Sequence, residues 1–229
     1  MRAPWRSPEG QPAWARPLLL LIAAGAGLAY AWSIGSDNLE IYYAAAARSM
    51  SMSWRNFFFG GFDPAGTITL DKLPGAFWVQ ALSVRLFGVH VWAIVAPQVV
   101  EGVLAVLVLY RAVRRLSGPA AGLIAALVLA ASPATVVLNR GNVSDTLMTL
   151  LLVLAADSVV TALVEDRPRH LLLAAVWVGL AFQAKMLQAW LVLPALALPY
   201  LVAASGKLTR RARWLVAAGA LTPWCRCRG

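Results

Sequence analysis

The chain has 229 residues, 60% of them hydrophobic and only 13% charged, with a formal net charge of +10. Its mean hydropathy is +0.69. A soluble domain of this length sits near half apolar and a quarter charged, so a soluble enzyme is excluded and an integral membrane protein is expected. The basic excess falls in short clusters between apolar runs, which is the pattern of topology signals rather than of a nucleic-acid-binding face.

In chain order, residues 1–16 read as a cytoplasmic tail rich in Arg, Pro and Trp. A transmembrane domain over 17–221 follows. Its first apolar run, 17–34, is long for a cleaved leader and reads as a retained signal anchor. Further runs of spanning or near-spanning length cover 91–110, 119–138, 146–164, 170–184 and 189–204, and another begins near Trp214. Lipid admits only helices or closed barrels, and runs without period-2 alternation mean helices. The expected fold is therefore all-α and polytopic, with about six to seven spans and a large first extracytoplasmic loop, 35–90, that contains short juxtamembrane helices. Residues 222–229 carry both cysteines, Cys225 and Cys227, and read as an aberrant or truncated tail. Two cysteines one residue apart make a poor metal site without further ligands.

Orientation follows from the basic residues. Arg2, Arg6 and Arg16, then Arg111, Arg114 and Arg115, then Arg167 and Arg169, then Lys207, Arg210, Arg211 and Arg213 mark one set of span ends. That set is the denser one and is cytoplasmic by the positive-inside rule. The 35–90 loop, the 139–145 turn and the Lys185 turn then face the other side.

The long loop has structure of its own. Tyr42-Tyr43-Ala44-Ala45-Ala46-Ala47-Arg48 is a good helix former. Trp54 and Phe57-Phe58-Phe59 suit the membrane surface, and Gly60, Gly61, Pro64 and Gly66 mark turns. Residues 76–87 are apolar but too few to span, so they read as an interfacial or re-entrant helix starting at Pro74.

Charge near lipid is costly and points to a role. Asp37 and Glu40 supply carboxylates just outside the first span. One of them could act as a general base on an acceptor hydroxyl. The same Asp37-x-x-Glu40 spacing also suits a capping box. Asp71-Lys72-Leu73-Pro74 sets a cation beside a helix start, where an anionic phosphate is favoured; a capping ion pair is the alternative. In Asn139-Arg140-Gly141-Asn142-Val143-Ser144-Asp145, Arg140 could fork a phosphate, while Ser144 or Asp145 could cap the next helix. Glu101 and Asp157 lie inside spans and are expected to bond between helices rather than to line a polar path. His90 and His170 read as interfacial. No zinc-protease, Walker A, nucleophile-elbow or dinucleotide-binding motif is present.

These residues together resemble a family. Tyr42 to Met50, Ser53 to Phe59, Phe62-Asp63-Pro64-Ala65-Gly66, Asp71 to Trp78, Arg85-Leu86-Phe87-Gly88 and Asn139-Arg140-Gly141-Asn142-x-x-Asp145 are similar to bacterial family 39 glycosyltransferases. These are the protein mannosyltransferase and aminoarabinose-transferase-like proteins with the GT-C membrane fold. The likeness runs from about residue 30 to 205.

The resemblance implies an inverting transfer of a sugar from a polyprenyl-phosphate donor to an extracytoplasmic acceptor, in the bacterial plasma membrane. It implies Asp37 or Glu40 as base. Tyr43, Asp71, Lys72, Arg140, Asn142 and Asp145 would bind substrate, with Lys72 and Arg140 on the phosphate. It fixes no cofactor and leaves room for a divalent cation, with Asp71 as a candidate ligand. Relatives often carry adjacent Asp-Glu where this chain has Leu39-Glu40, and Lys-Pro-Pro where it has Lys72-Leu73-Pro74. They are usually far longer, so an N-terminal fragment is expected. The rival class is a non-catalytic polytopic protein: a transporter, a lipid-carrier flippase or an inactive fragment.

Overall fold

A computed structural model describes residues 7–8, 10–36 and 39–221. The described secondary structure is helical, apart from one isolated antiparallel bridge between Gly61 and Thr69. The helices in order are α1 Ala15–Ala31, α2 Ile41–Met52, α3 Trp54–Phe59, α4 Gly75–Phe87, α5 Val91–Ala131, α6 Pro133–Arg140, α7 Asp145–Val164 and α8 His170–Lys185. A 3₁₀ turn, Met186–Val192, then leads to α9 Leu193–Ala203 and α10 Leu208–Leu221.

Three stretches are long and apolar enough to cross a membrane: Val91–Ala131, Asp145–Val164 and His170–Ala203. α1 is a shorter apolar helix of 17 residues, about 26 Å long at 1.5 Å per residue. Two of these stretches are broken inside, where the sequence separates 91–110 from 119–138 and 170–184 from 189–204, and the reasons are local. Gly118 has φ +84°, a conformation few other residues adopt, and Pro119 follows it. The chain reverses there, because a Cβ on Gly122 would sit 3.0 Å from the Tyr110 carbonyl oxygen and 3.1 Å from the Arg114 Cβ. A straight helix would hold those residues about 18 Å apart. The 119–138 run is broken again at Ser132, whose extended backbone ends α5, and Pro133 opens α6 from a first-turn position it favours. The 170–204 stretch is interrupted at Met186, which has φ +52°.

Apolar faces seal the bundle. Tyr30, Val106, Tyr110, Leu123 and Ala126 form one buried cluster between α1 and the two arms of α5. The Tyr30 hydroxyl donates to the Ala130 carbonyl at 3.2 Å. A second cluster joins α2, α4, α7 and α8 through Met50, Phe77, Met148, Leu151 and Ala181. Small residues allow backbones to approach. A Cβ on Gly75 would lie 2.7 Å from the Gln183 carbonyl oxygen, so α4 rests directly on the end of α8. Gly75→Ala is expected to cost about 1–3 kcal/mol through overpacking against backbone, read as a lowered melting temperature in detergent.

The two spanning acids differ. Asp157 of α7 accepts from Arg111 Nη2 at 2.6 Å and Nε at 3.1 Å, and from Arg115 at 3.4 Å, so it bonds between helices as expected. Arg115 also reaches Glu165 at 3.9 Å, which brings the 111–115 and 165–167 ends together on one side. Glu101 is buried, and neither of its carboxylate oxygens has a hydrogen-bond partner.

Candidate functional site

At the opposite end, loop 60–74 is built before it can hold anything. Asp63 Oδ1 accepts from the amides of Thr67 at 2.8 Å and Ile68 at 2.7 Å, and its other oxygen accepts from the Thr67 hydroxyl at 3.0 Å. The Ile68 amide bond does most to hold this carboxyl below its ordinary pKa, and with the Thr67 bonds it outweighs the opposing effect of burial. The buried Asn56 amide donates to the carbonyls of Asp63 at 3.0 Å and Pro64 at 3.3 Å. Gly61 and Gly66 lie so close to Asn56 that a Cβ on either would be within 2.8 Å of it. The loop is thereby fixed against α3, and Phe62 stacks on Tyr42 with ring centroids 4.6 Å apart.

The fixed loop delivers Asp71 and Lys72 to α2. The Tyr42 hydroxyl accepts from the Asp71 amide at 3.1 Å, and the Lys72 ammonium donates to the Tyr43 hydroxyl. The same ammonium lies 4.6 Å from the Tyr43 ring centroid, a cation–π distance. Tyr43 in turn stacks on Phe77 of α4 at 4.8 Å. Burial works against the Lys72 charge, but the Tyr43 hydroxyl and the charges of Asp71 and Asp145 outweigh it and hold the ammonium above its ordinary pKa. Asp145, in the first turn of α7, pairs with Lys185 at the end of α8. Tyr43, Lys72, Asp145 and Lys185 therefore belong to one charged cluster.

Glu40 precedes Tyr43 by three residues. It is the residue preceding α2, with extended backbone and no side-chain cap bond. This corrects the capping-box alternative, which needs Glu40 one turn inside the helix. Asp37 lies outside the described residues. The Glu40 backbone is gripped from 102 positions away: its amide donates to Asn142 Oδ1 at 2.8 Å, and Asn142 Nδ2 donates back to its carbonyl at 3.1 Å. The Asn142 carbonyl accepts from Gln80 of α4 at 3.2 Å. Asn142 is 1% exposed. Its side-chain amide is spent on the Glu40 backbone. Asn142→Leu is expected to cost about 1–3 kcal/mol by removing both bonds, measurable as a lower melting temperature. Ser144 precedes α7 but makes no side-chain cap bond, contrary to one reading of the turn.

With its side chain exposed, Glu40 faces a cleft of about 390 Å³ whose walls include Arg140, Leu138 and Val136. An acid, a guanidinium and an apolar wall thus share one opening. Lys185 and Gln80 were not singled out from the sequence as site residues. Lys185 carried a signal, since it is a lone cation at the non-cytoplasmic end of a span. Gln80 carried its polarity inside an apolar helix. Among the described residues, no group of three or more His, Cys, Asp or Glu side chains could hold a metal ion.

A family model described as dolichyl-phosphate-mannose-protein mannosyltransferase matches residues 71–225. Two Bacillus subtilis (strain 168) proteins named putative mannosyltransferases, YycA and YkcB, are 40% and 38% identical to this chain over 85% and 88% of its length. The chain spans 28% of each of these relatives. Among solved structures, apo ArnT from Cupriavidus metallidurans aligns with a TM-score of 0.71 at 24% identity, covering 94% of this chain and 41% of ArnT. The archaeal oligosaccharyltransferase AglB from Archaeoglobus fulgidus, solved with an inhibitory peptide and a dolichol-phosphate, aligns at 0.68 and 14% identity, covering 93% of this chain and 29% of AglB. These likenesses establish a shared membrane fold.

Proposed function

Because this chain belongs to the dolichyl-phosphate-mannose-protein mannosyltransferase family, we propose that it carries the catalytic loop of a membrane glycosyltransferase using a polyprenyl-phosphate sugar. The observation that supports this most is the exposed carboxylate of Glu40, on a backbone held by Asn142, at a cleft shared with Arg140; Asp145 of the Lys72–Tyr43–Asp145–Lys185 cluster follows Asn142 by three residues. The dolichol-phosphate held by AglB, on the same fold, supports a lipid-phosphate donor.

The acceptor hydroxyl gives its proton to Glu40 as its oxygen attacks the anomeric carbon. The bond from that carbon to the phosphate oxygen breaks on the opposite face, so configuration inverts. Polyprenyl phosphate leaves with one more negative charge than it had as a diester. Lys72 and Arg140 stabilise that charge, which develops in the transition state and is therefore where fixed cations accelerate the reaction. Asp145 balances Lys185 and keeps the cluster from repelling itself, and Asp71 orients the loop through its backbone bond to Tyr42. The reaction lies on the extracytoplasmic side of a bacterial plasma membrane, by the distribution of basic residues. The acceptor is a hydroxyl of a protein, lipid or envelope glycan.

The test is transfer of radiolabelled mannose from polyprenyl-phosphate-mannose in membranes expressing this chain, beside membranes expressing the Lys72→Met variant. Label reaching an acceptor only with the native chain supports the reading. Equal transfer by both removes Lys72 from it.

A further inference from the structure

A small cavity of about 30 Å³ lies where α5, α6 and the first turns of α7 meet. A buried water needs about 10–15 Å³, so this one has room for a water or two and for no organic molecule. Gly102 of α5 and Asn139 of α6 both line it. Asn139 reaches it because residue 102 is glycine: a Cβ there would sit 2.4 Å from the Asn139 Oδ1. Leu129 and Leu138 supply apolar wall.

Three side chains bring oxygen lone pairs to this space. Asn139 is 2% exposed; its Nδ2 donates to the Thr135 carbonyl at 2.8 Å, while its Oδ1 has no hydrogen-bond partner. A buried amide oxygen without a donor is uncommon and calls for an explanation. Thr146 and Thr149, three positions apart on α7, also line the cavity. Their hydroxyl hydrogens are already given to the carbonyls of Leu138 at 3.2 Å and Asp145 at 2.8 Å. What the two threonines have left to offer is acceptor capacity.

Three neutral oxygens with lone pairs to fill suit a small molecule that can donate twice. Water does so and fits the volume, and two to four polar partners are what a buried water requires. A bare metal ion would give up its hydration for groups that carry no charge, which is unfavourable. We infer that this cavity is a binding site for one ordered water, which donates to Asn139 Oδ1 and to a threonine hydroxyl of α7. Asn139 precedes and Thr146 follows the turn that carries Arg140 and Asn142. The water therefore ties the two ends of that turn together from below. The site does not depend on the proposed transfer reaction.

An experimental density map of the purified chain, at a resolution that shows ordered water, tests this. One peak is expected within hydrogen-bond distance of Asn139 Oδ1 and of the Thr146 or Thr149 hydroxyl. Thr146→Val/Thr149→Val keeps shape and removes both hydroxyls, so the peak should vanish from its map, whereas Thr149→Ser keeps the oxygen and should keep the peak. The double valine variant should also melt about 2–4 °C lower in detergent. Exchanging sodium chloride for choline chloride at equal ionic strength should leave the native melting temperature unchanged. The inference is overturned if the native map has no peak there, if the peak survives in the double variant, or if sodium alone stabilises the native chain, which would make the occupant a cation. Should the double variant fail to fold, the native map and the salt exchange still decide.

Discussion

Glu40→Gln is expected to lower the rate of sugar transfer by about 10²–10⁴-fold, the usual contribution of a positioned general base. The substitution keeps size and shape and removes only the ability to take a proton. The Glu40 backbone should stay where it is, because both of its bonds to Asn142 are made by main-chain atoms. Donor affinity should therefore change little, so the loss falls on kcat. Asp37→Asn, measured alongside, decides between the two acids. Full activity in Glu40→Gln with loss in Asp37→Asn would move the base to Asp37.

Lys72→Met is expected to lower kcat by about 10²–10³-fold, comparable to removing one preorganised charge-stabilising group. Methionine is an unbranched apolar stem that ends about where the lysine Cε lies, so it keeps a side chain against the Tyr43 ring without the charge. Tyr43→Phe keeps the cation but removes the oxygen that aims it, and should cost about tenfold, the value of one hydrogen bond to a charged group. The pH behaviour follows from the direction of the Lys72 shift. Its folded pKa is raised, so the charge and the stability it brings to the loop are fully present below the ordinary lysine value. They are lost only as pH rises through the raised one. A fall in rate with pH below about 10 would therefore have to come from another group.

The local elements of the site were legible in the sequence. The helix at Tyr42 and the one expected at Pro74 both formed, as Ile41–Met52 and Gly75–Phe87, the second with Pro74 just before its first residue, because alanine runs and a proline at a helix start act within a few residues. The family likeness, carried by clustered motifs, agrees with the match over 71–225. What the sequence hid depends on partners far along the chain. Nothing around Asn142 says that its amide grips Glu40, and nothing around Asp157 says that two arginines from α5 will meet it. Hydropathy also ran through Ser132-Pro133, because apolar content does not register a change of backbone direction.

The paired amide bonds between Glu40 and Asn142 close a loop of 102 residues. That separation makes the arrangement of the acid a late event in the life of the chain. The first hundred residues can insert, and α1 can settle against the start of α5, with Glu40 still unrestrained. Long closures of this kind are slow to form and are rewarded only at the end. A ribosome that has delivered α5 but not yet the 133–145 segment has therefore made the packing of α1 on α5 but not the partner of the Glu40 backbone. The order of synthesis leaves the Glu40 backbone unheld until the turn after α6 has emerged.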